Sequence, residues 1–487
     1  MKKILIILIA CLSLFISCNQ QDSTSFDRYF TDGTLRIDYF HTGDAVSETL
    51  EIDAVFQYED WAGSRIHLED PLNYGTYCYK IYDKSSGKLI YSRGFDSYFK
   101  EYQLTTPAIE GTVKQFHESA IIPFPESVII FALDKRDKTG QLHEIFRTEI
   151  EPELIPEGPK DPDVRIYTSL DNGDPDVKMD IAIIGEGYTA EEEQKFRDDL
   201  ERFTDLFFQT EPYTTHRNQF NFRGVLKPSS DSGIDEPRAG IDKQTAISAT
   251  FNTMGSERYV LTEDNKSLRD IAGHVPYDAL VIMVNHSRYG GGGIYNFYAV
   301  FTSDNLNSSY LFLHEFGHSF AGLADEYYTS STAYNDFYPA GYEPAEPNIT
   351  ALPDPENLKW KHLLTPGIPI PTPWNKSEYD SLDLEWQSKR AGLNDHIASL
   401  KKNGAPEEEI EAAVEQYNSE SSRRDKEMQA FLENSAYAGE VGAFEGAGYM
   451  STGMYRPSIN CIMFTRAGYF CPVCQEAIAN VIALYTE

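Results

Sequence analysis

Residues 308–328 read SSYLFLHEFGHSFAGLADEYY: an apolar run, two histidines four apart with a glutamate between them, then an acidic pair. On a helix, His314 and His318 stand one turn apart and project from one face. Zinc takes imidazole nitrogens at about 2.0–2.1 Å in a tetrahedral array, and a helix offers two of them with little conformational entropy left to lose. Glu315 lies one step round, placed to reach a water on the metal rather than the metal. Tyr310-Leu311-Phe312-Leu313 predicts that this helix is buried. Gly322 is suited to end it, because glycine tolerates the left-handed conformation. Asp325 and Glu326 then arrive where a third ligand is needed; a ligand further along, Glu343 or Glu346, is the remaining option. Such a site lowers the pKa of a water from 15.7 toward about 7, and Glu315 would carry its proton to a departing amine. A buried helix with two hydrogen-bonded histidines is the competing reading.

The elements that must position this helix are legible around it. KMDIAIIGEGY (178–188) reads as an apolar strand, and Thr189 with Glu192 forms a capping box opening a helix. On that helix Phe196, Leu200, Phe203, Leu206 and Phe207 share a face. FNFRGVL (220–226) and YDALVIMVN (277–285) read as further strands, so residues 160–487 are expected to form an α/β (α+β) domain. In GGGGIYNFYAVF (290–301) no helix follows the glycines, which excludes a phosphate cradle. We expect a flexible turn leading into an exposed edge strand near Ile294–Phe301, along which a peptide would lie extended. The loop holding Asp231 and Asp235 reads as a polar turn rather than a calcium site. Residues 383–433 hold two charged helical stretches broken at Asn403-Gly404, an inserted helical hairpin expected to be solvated and remote from the chemistry.

Upstream, residues 29–154 show short alternating runs separated by turn signals, the pattern of an antiparallel β-sandwich. No catalytic residue types gather there, so an accessory or spacer domain is expected. A proline-rich stretch, IPEGPKDPD (155–163), marks the boundary. At the start, two lysines precede an apolar run from Ile4 to Ile16, too short to span a bilayer but of signal-peptide length. Ser17-Cys18 after it resembles a bacterial lipobox, which implies that residues 1–18 are a lipoprotein signal, that Cys18 is lipidated and that 19–28 are a linker. The expected place is then the bacterial cell envelope, exported and anchored in the outer membrane by lipid alone. A formal charge of −34 argues against nucleic acid as a partner. A monomer acting on peptide or glycoprotein substrates is expected.

SINCIMFTRAGYFCPVC (458–474) resembles the methionine turn of the metzincin zinc peptidases, with Met463 as the apolar floor beneath the metal. The HEFGH helix resembles theirs too, except that one extra residue separates His318 from Gly322, so that Ala324 holds the strictly matching third position and Asp325 follows it. Thr465 stands where some metzincins carry an exchangeable tyrosine. The wider set DIAIIGEGYTAEE, SSDSGID, HEFGHSFAGLADEYY, EPNIT, KWKHLL, FEGAGY and YRPSINCIM resembles the IgA peptidase family of zinc metallopeptidases (metallopeptidase family 64), and the preceding sandwich resembles its N-terminal domain. The resemblance implies a peptidase with one catalytic zinc on His314, His318 and Asp325 and with Glu315 as the base; it does not imply that immunoglobulin is cut. Tyr449, Tyr455 and Arg456 are candidates for holding substrate or an oxyanion. Cys461, Cys471 and Cys474 could bind a structural zinc, but three thiolates lack an evident fourth ligand and no second Cys-x-x-Cys pairs with them. A disulfide from Cys461 to Cys471 or Cys474 is therefore expected. The rival class is a tethered glycan- or protein-binding lipoprotein with a non-catalytic metal site; it predicts damage to the zinc motif, which is intact.

Overall fold

The computed structural model describes residues 25–329, 337–339 and 341–486. The expected signal at residues 1–18, its Cys18 and most of the expected linker at 19–28 lie outside the described residues.

The N-terminal domain is built from two antiparallel sheets. Strands β1 (Phe30–Gly43), β2 (Glu48–Tyr58) and β5 (Lys114–Pro125) run in the order β2-β1-β5; β3 (Tyr77–Asp83), β4 (Leu89–Phe95), β6 (Ile129–Arg136) and β7 (Leu142–Ile150) run β4-β3-β6-β7. Three short helices, α1 (Phe26–Tyr29), α2 (Tyr98–Gln103) and α3 (Thr106–Ile109), fill the connections. Alternation sends Leu35, Ile37, Ile122, Ile81 and Phe131 of both sheets into one shared core.

Beside that core sits a polar cluster with a pH signature. His41 places Nδ1 3.1 Å from Glu118 and Nε2 2.9 Å from Glu48, which also pairs with Lys135. Burial alone would raise the Glu48 carboxyl, but His41 and Lys135 override it and hold it down at about 2. Burial alone would lower His41, but Glu118 and Glu48 raise it. Glu48 therefore contributes stability above its unfolded value of about 4.3, lost as pH falls toward 2; His41 contributes below about 6.5, lost as pH rises through its raised folded value. The melting temperature is expected to peak between roughly pH 4.5 and 6.5, and His41→Asn to flatten the alkaline limb; thermal melts across pH check this.

In the C-terminal domain one mixed sheet runs β12-β13-β11-β9-β10-β8. Its members are β8 (Arg165–Leu170), β9 (Met179–Glu186), β10 (Phe220–Leu226), β11 (Ala279–Val284), β12 (Gly291–Ile294) and β13 (Tyr298–Thr302). The inner strands are parallel, and both edges pair antiparallel. Every residue of β9 is buried because both sheet faces are covered. On one face Ile181, Ile183, Met283 and Phe301 meet α4 (Glu193–Phe207) and α6 (Ser308–Ala321). On the other, Ala182, Ile184, Ile282 and Val284 meet α5 (Asn265–Ala272). The Thr189/Glu192 capping box forms as expected.

The glycine run departs from expectation. Gly291–Ile294 is itself the edge strand, and Tyr298–Thr302 lies inside, flanked by β12 and β11. The reason is steric: a Cβ on Gly293 would come within 2.4 Å of the Glu315 carbonyl oxygen and 2.9 Å of the His318 Cβ. Only glycine lets α6 lie this close to the edge.

The hairpin differs as well. It runs α7 (Lys376–Lys402) and α8 (Glu407–Glu433), beginning before residue 383. It is not a free solvated appendage, because Tyr379, Met428 and Leu432 enter the main core. Arg466 reaches back to Ser421 and Asp425 at 2.7 and 2.8 Å, tying the hairpin to the segment after Met463. A two-stranded ribbon, β14 (Phe444–Ala447) and β15 (Met450–Arg456), and the closing helix α9 (Pro472–Thr486) complete the domain. The expected disulfide is not formed: Cys461 and Cys474 sulfurs are 3.8 Å apart and Cys461, Cys471 and Cys474 are free thiols, against a bonded distance of about 2.05 Å. No described helix is long and apolar enough to cross a membrane.

Candidate metal centre

Helix α6 is anchored through Leu311, Phe312, Phe316 and Phe320 in the main core. Gly322 ends it with φ at +58°, in the left-handed region. The chain then turns so that Glu326 N–H donates to the Met463 carbonyl at 2.8 Å, docking the segment after the helix onto the segment that holds Met463. Met463 is fully buried, and its sulfur would lie 3.1 Å from a Cβ placed on Gly317, the residue just before His318. The absence of a side chain at Gly317 is what lets the thioether sit there.

This turn brings three side chains together. His314 Nε2 and His318 Nε2 are 3.2 Å apart, and Asp325 Oδ1 lies 3.1 and 3.2 Å from them. Ligands at about 2.05 Å in a tetrahedron are separated by roughly 3.3 Å, so the triangle has the dimensions of three corners around zinc. The outer nitrogens are fixed by backbone oxygens: His314 Nδ1 stands 3.0 Å from the Ile462 carbonyl and His318 Nδ1 2.5 Å from that of Leu323. With Nδ1–H donated outward, each Nε2 lone pair faces the shared point. Asp325 Oδ1 is buried without a hydrogen-bond donor, an orphan that a cation would satisfy. The donor set thus fits a divalent metal. Its other oxygen accepts from the Tyr449 hydroxyl.

Electrostatics agree with the geometry. Burial would raise Asp325, but the two imidazoles hold it well below the usual carboxylate range. Burial would lower His318, but Asp325 and Glu315 push it up to about 9. The lone pairs that compete so strongly for a proton attract a divalent cation for the same reason. Glu315 is raised by burial, with the two imidazoles opposing. Its carboxylate lies within 4.8 Å of a ring nitrogen of each histidine.

The site opens into a cleft of about 760 Å³ between the two domains. His314, Glu315, His318, Asp325 and Tyr449 line one side with Gly291, Gly293 and Ile294 of the edge strand; Asp96, Lys100 and Arg136 of the N-terminal domain line the other. The N-terminal domain is therefore a wall of the cleft and not a remote spacer. Tyr455 is outside the lining, its backbone paired with Thr350. Arg456 is fully buried between Phe464 and Trp374, 3.8 and 4.4 Å from their ring centres, and so cannot meet an oxyanion in the cleft. Glu343 is held by Lys359 and Thr350, Glu346 accepts from Tyr338, and Glu326 turns away toward the cysteines.

Several residues at the site were not assigned a role from the sequence. Tyr310 places its hydroxyl 3.3 Å from His314 Nδ1, and the Tyr327 ring stacks parallel to His314 at 6.2 Å. Arg258 lies 5.3 Å over Tyr327, bringing a cation to the cleft. Tyr310 and Tyr327 stand inside the quoted motif and were open to notice; Arg258 and Lys100 come from distant segments. Tyr449→Phe removes the donor to Asp325 Oδ2. It is expected to weaken metal affinity by about 10–100-fold with an unchanged melt, as read by competition against a chromogenic chelator.

The profile described as IgA Peptidase M64 matches residues 168–482, and that described as Peptidase M64 N-terminus matches residues 25–147. No curated protein matches. The first match contains the histidine helix, the segment around Met463 and α9 as far as Ile482, and the second covers the domain forming the far wall of the cleft, so that nearly all the described chain is accounted for: the protein belongs to the IgA peptidase M64 family.

Proposed function

We propose that the protein is an exported zinc-dependent endopeptidase that hydrolyses peptide bonds of extracellular protein or glycoprotein substrates. The observation that carries this reading is the triangle of His314 Nε2, His318 Nε2 and Asp325 Oδ1 with Glu315 beside it on one wall of an open cleft. Zinc bound there supplies Lewis-acid polarisation of the scissile carbonyl and makes a water acidic enough to be deprotonated near neutral pH. Glu315 receives that proton and delivers it to the leaving nitrogen. The substrate chain lies against β12 at Gly293, beyond Gly291, whose outer edge already pairs with Arg258 and Val260; backbone pairing there would hold it extended. Arg258 offers a fixed positive charge to the developing oxyanion, and Tyr449 keeps Asp325 in its ligand rotamer. A leader at residues 1–18 with lipid on Cys18, as the lipobox-like Ser17-Cys18 suggests, would put this activity in the cell envelope. A peptide-library digest that is lost on chelation and returns on adding zinc supports the assignment; a digest unaffected by chelation overturns it.

A further inference from the structure

Behind the catalytic triangle lies a second cluster. Glu326, Cys461, Cys471 and Cys474 are all fully buried, and one ligand atom from each lies within 4.8 Å of all the others. Zinc–sulfur bonds of about 2.3 Å in a tetrahedron set sulfurs about 3.8 Å apart, and a carboxylate oxygen at about 2.0 Å stands roughly 3.5 Å from each sulfur. Here the Cys461 and Cys474 sulfurs are 3.8 Å apart, and Cys474 Sγ is 3.4 Å from Glu326 Oε1. The Cys471 N–H points at Cys461 Sγ at 3.3 Å, a donor suited to a thiolate. Cys471 and Cys474 flank the start of α9, where the helix dipole favours negative sulfur. Glu326 Oε2 has no hydrogen-bond partner, an expensive way to bury a carboxyl among sulfurs without a cation.

We propose that Glu326, Cys461, Cys471 and Cys474 bind a second, structural zinc ion. Three thiolates and a carboxylate around a dication leave two negative charges. Arg456, buried nearby with Nε and Nη2 unpartnered, acts electrostatically on Glu326 and offsets part of them. The ion joins three chain segments that build the catalytic centre. Glu326 directly follows the ligand Asp325. Cys461 precedes Ile462, whose carbonyl holds His314, and Met463, which floors the site. The pair on α9 closes the fold behind them. A disulfide would use two sulfurs and leave the third thiol and Glu326 facing each other without a counter-ion. The fourth ligand escaped the sequence because it lies 135 residues before Cys461.

The test loads the full chain, purified in reductant, with zinc alone, removes loose metal by dialysis and counts the ion by mass spectrometry. The parent is expected to hold two equivalents, one released by a thiol-specific mercurial. His318→Ala is expected to keep one equivalent, all of it mercurial-releasable, and its cobalt form to show a near-ultraviolet thiolate charge-transfer band. Glu326→Gln is expected to weaken the second ion by about 10–100-fold, and Cys474→Ser to hold only the mercurial-resistant equivalent. Because Cys474→Ser may fail to fold, the His318→Ala result decides. No zinc in folded His318→Ala, no charge-transfer band, or two fewer titratable thiols in the unreduced parent would each overturn the second site while leaving the catalytic centre untouched.

Discussion

Glu315→Gln is expected to lower turnover by about 10²–10⁴-fold, the usual worth of a positioned general base, while metal content stays at the parent value. The amide keeps the shape and burial of the carboxylate but has no lone pair basic enough to take a proton. Glu315 lies over β12, where a Cβ on Gly291 would approach its Oε1 to 2.8 Å, so the isosteric side chain keeps its seat. The measurement pairs steady-state peptide hydrolysis with metal analysis of the same sample. Hydrolysis at the parent rate with metal bound would remove Glu315 from the mechanism.

Asp325→Ala is expected to cost more than about 100-fold in affinity for the catalytic metal, and with it essentially all activity. The two imidazoles remain fixed by the Ile462 and Leu323 carbonyls, but two corners of a tetrahedron hold zinc poorly, and the buried negative charge opposite them is gone. Total zinc should fall by one equivalent relative to the parent at equal protein concentration. If Asp325→Ala retains its full metal content and activity, the third ligand lies elsewhere. Glu326 is then the residue to test, despite its orientation toward the cysteines.

The centre and its surroundings differ in how far local pattern could reach. His314, Glu315 and His318 were legible because a helix fixes their relative directions within five residues, whatever surrounds it. The capping box at Thr189 and Glu192, the helical stop at Gly322 and the alternating strands of the first domain were legible for the same reason. The glycine run misled because its cause is not local: Gly293 is required by the backbone of α6, which packs against it. The hairpin misled because its few buried side chains, Tyr379, Met428 and Leu432, are diluted among charged residues.

The amino-acid sequence by itself determined the chemistry on offer: two imidazoles on one helical face, a carboxylate beside them and an acidic pair after a glycine. Tertiary structure alone decided how that chemistry is divided. Asp325 and Glu326 are neighbours of nearly equal ligand capacity, and no propensity separates them. The backbone between Gly322 and the methionine turn aims one at the histidines and the other at the sulfurs. Which cations line the cleft was likewise settled by tertiary contacts: Lys100 arrives with the N-terminal domain, and Arg258 from a distant segment of the same domain as the site.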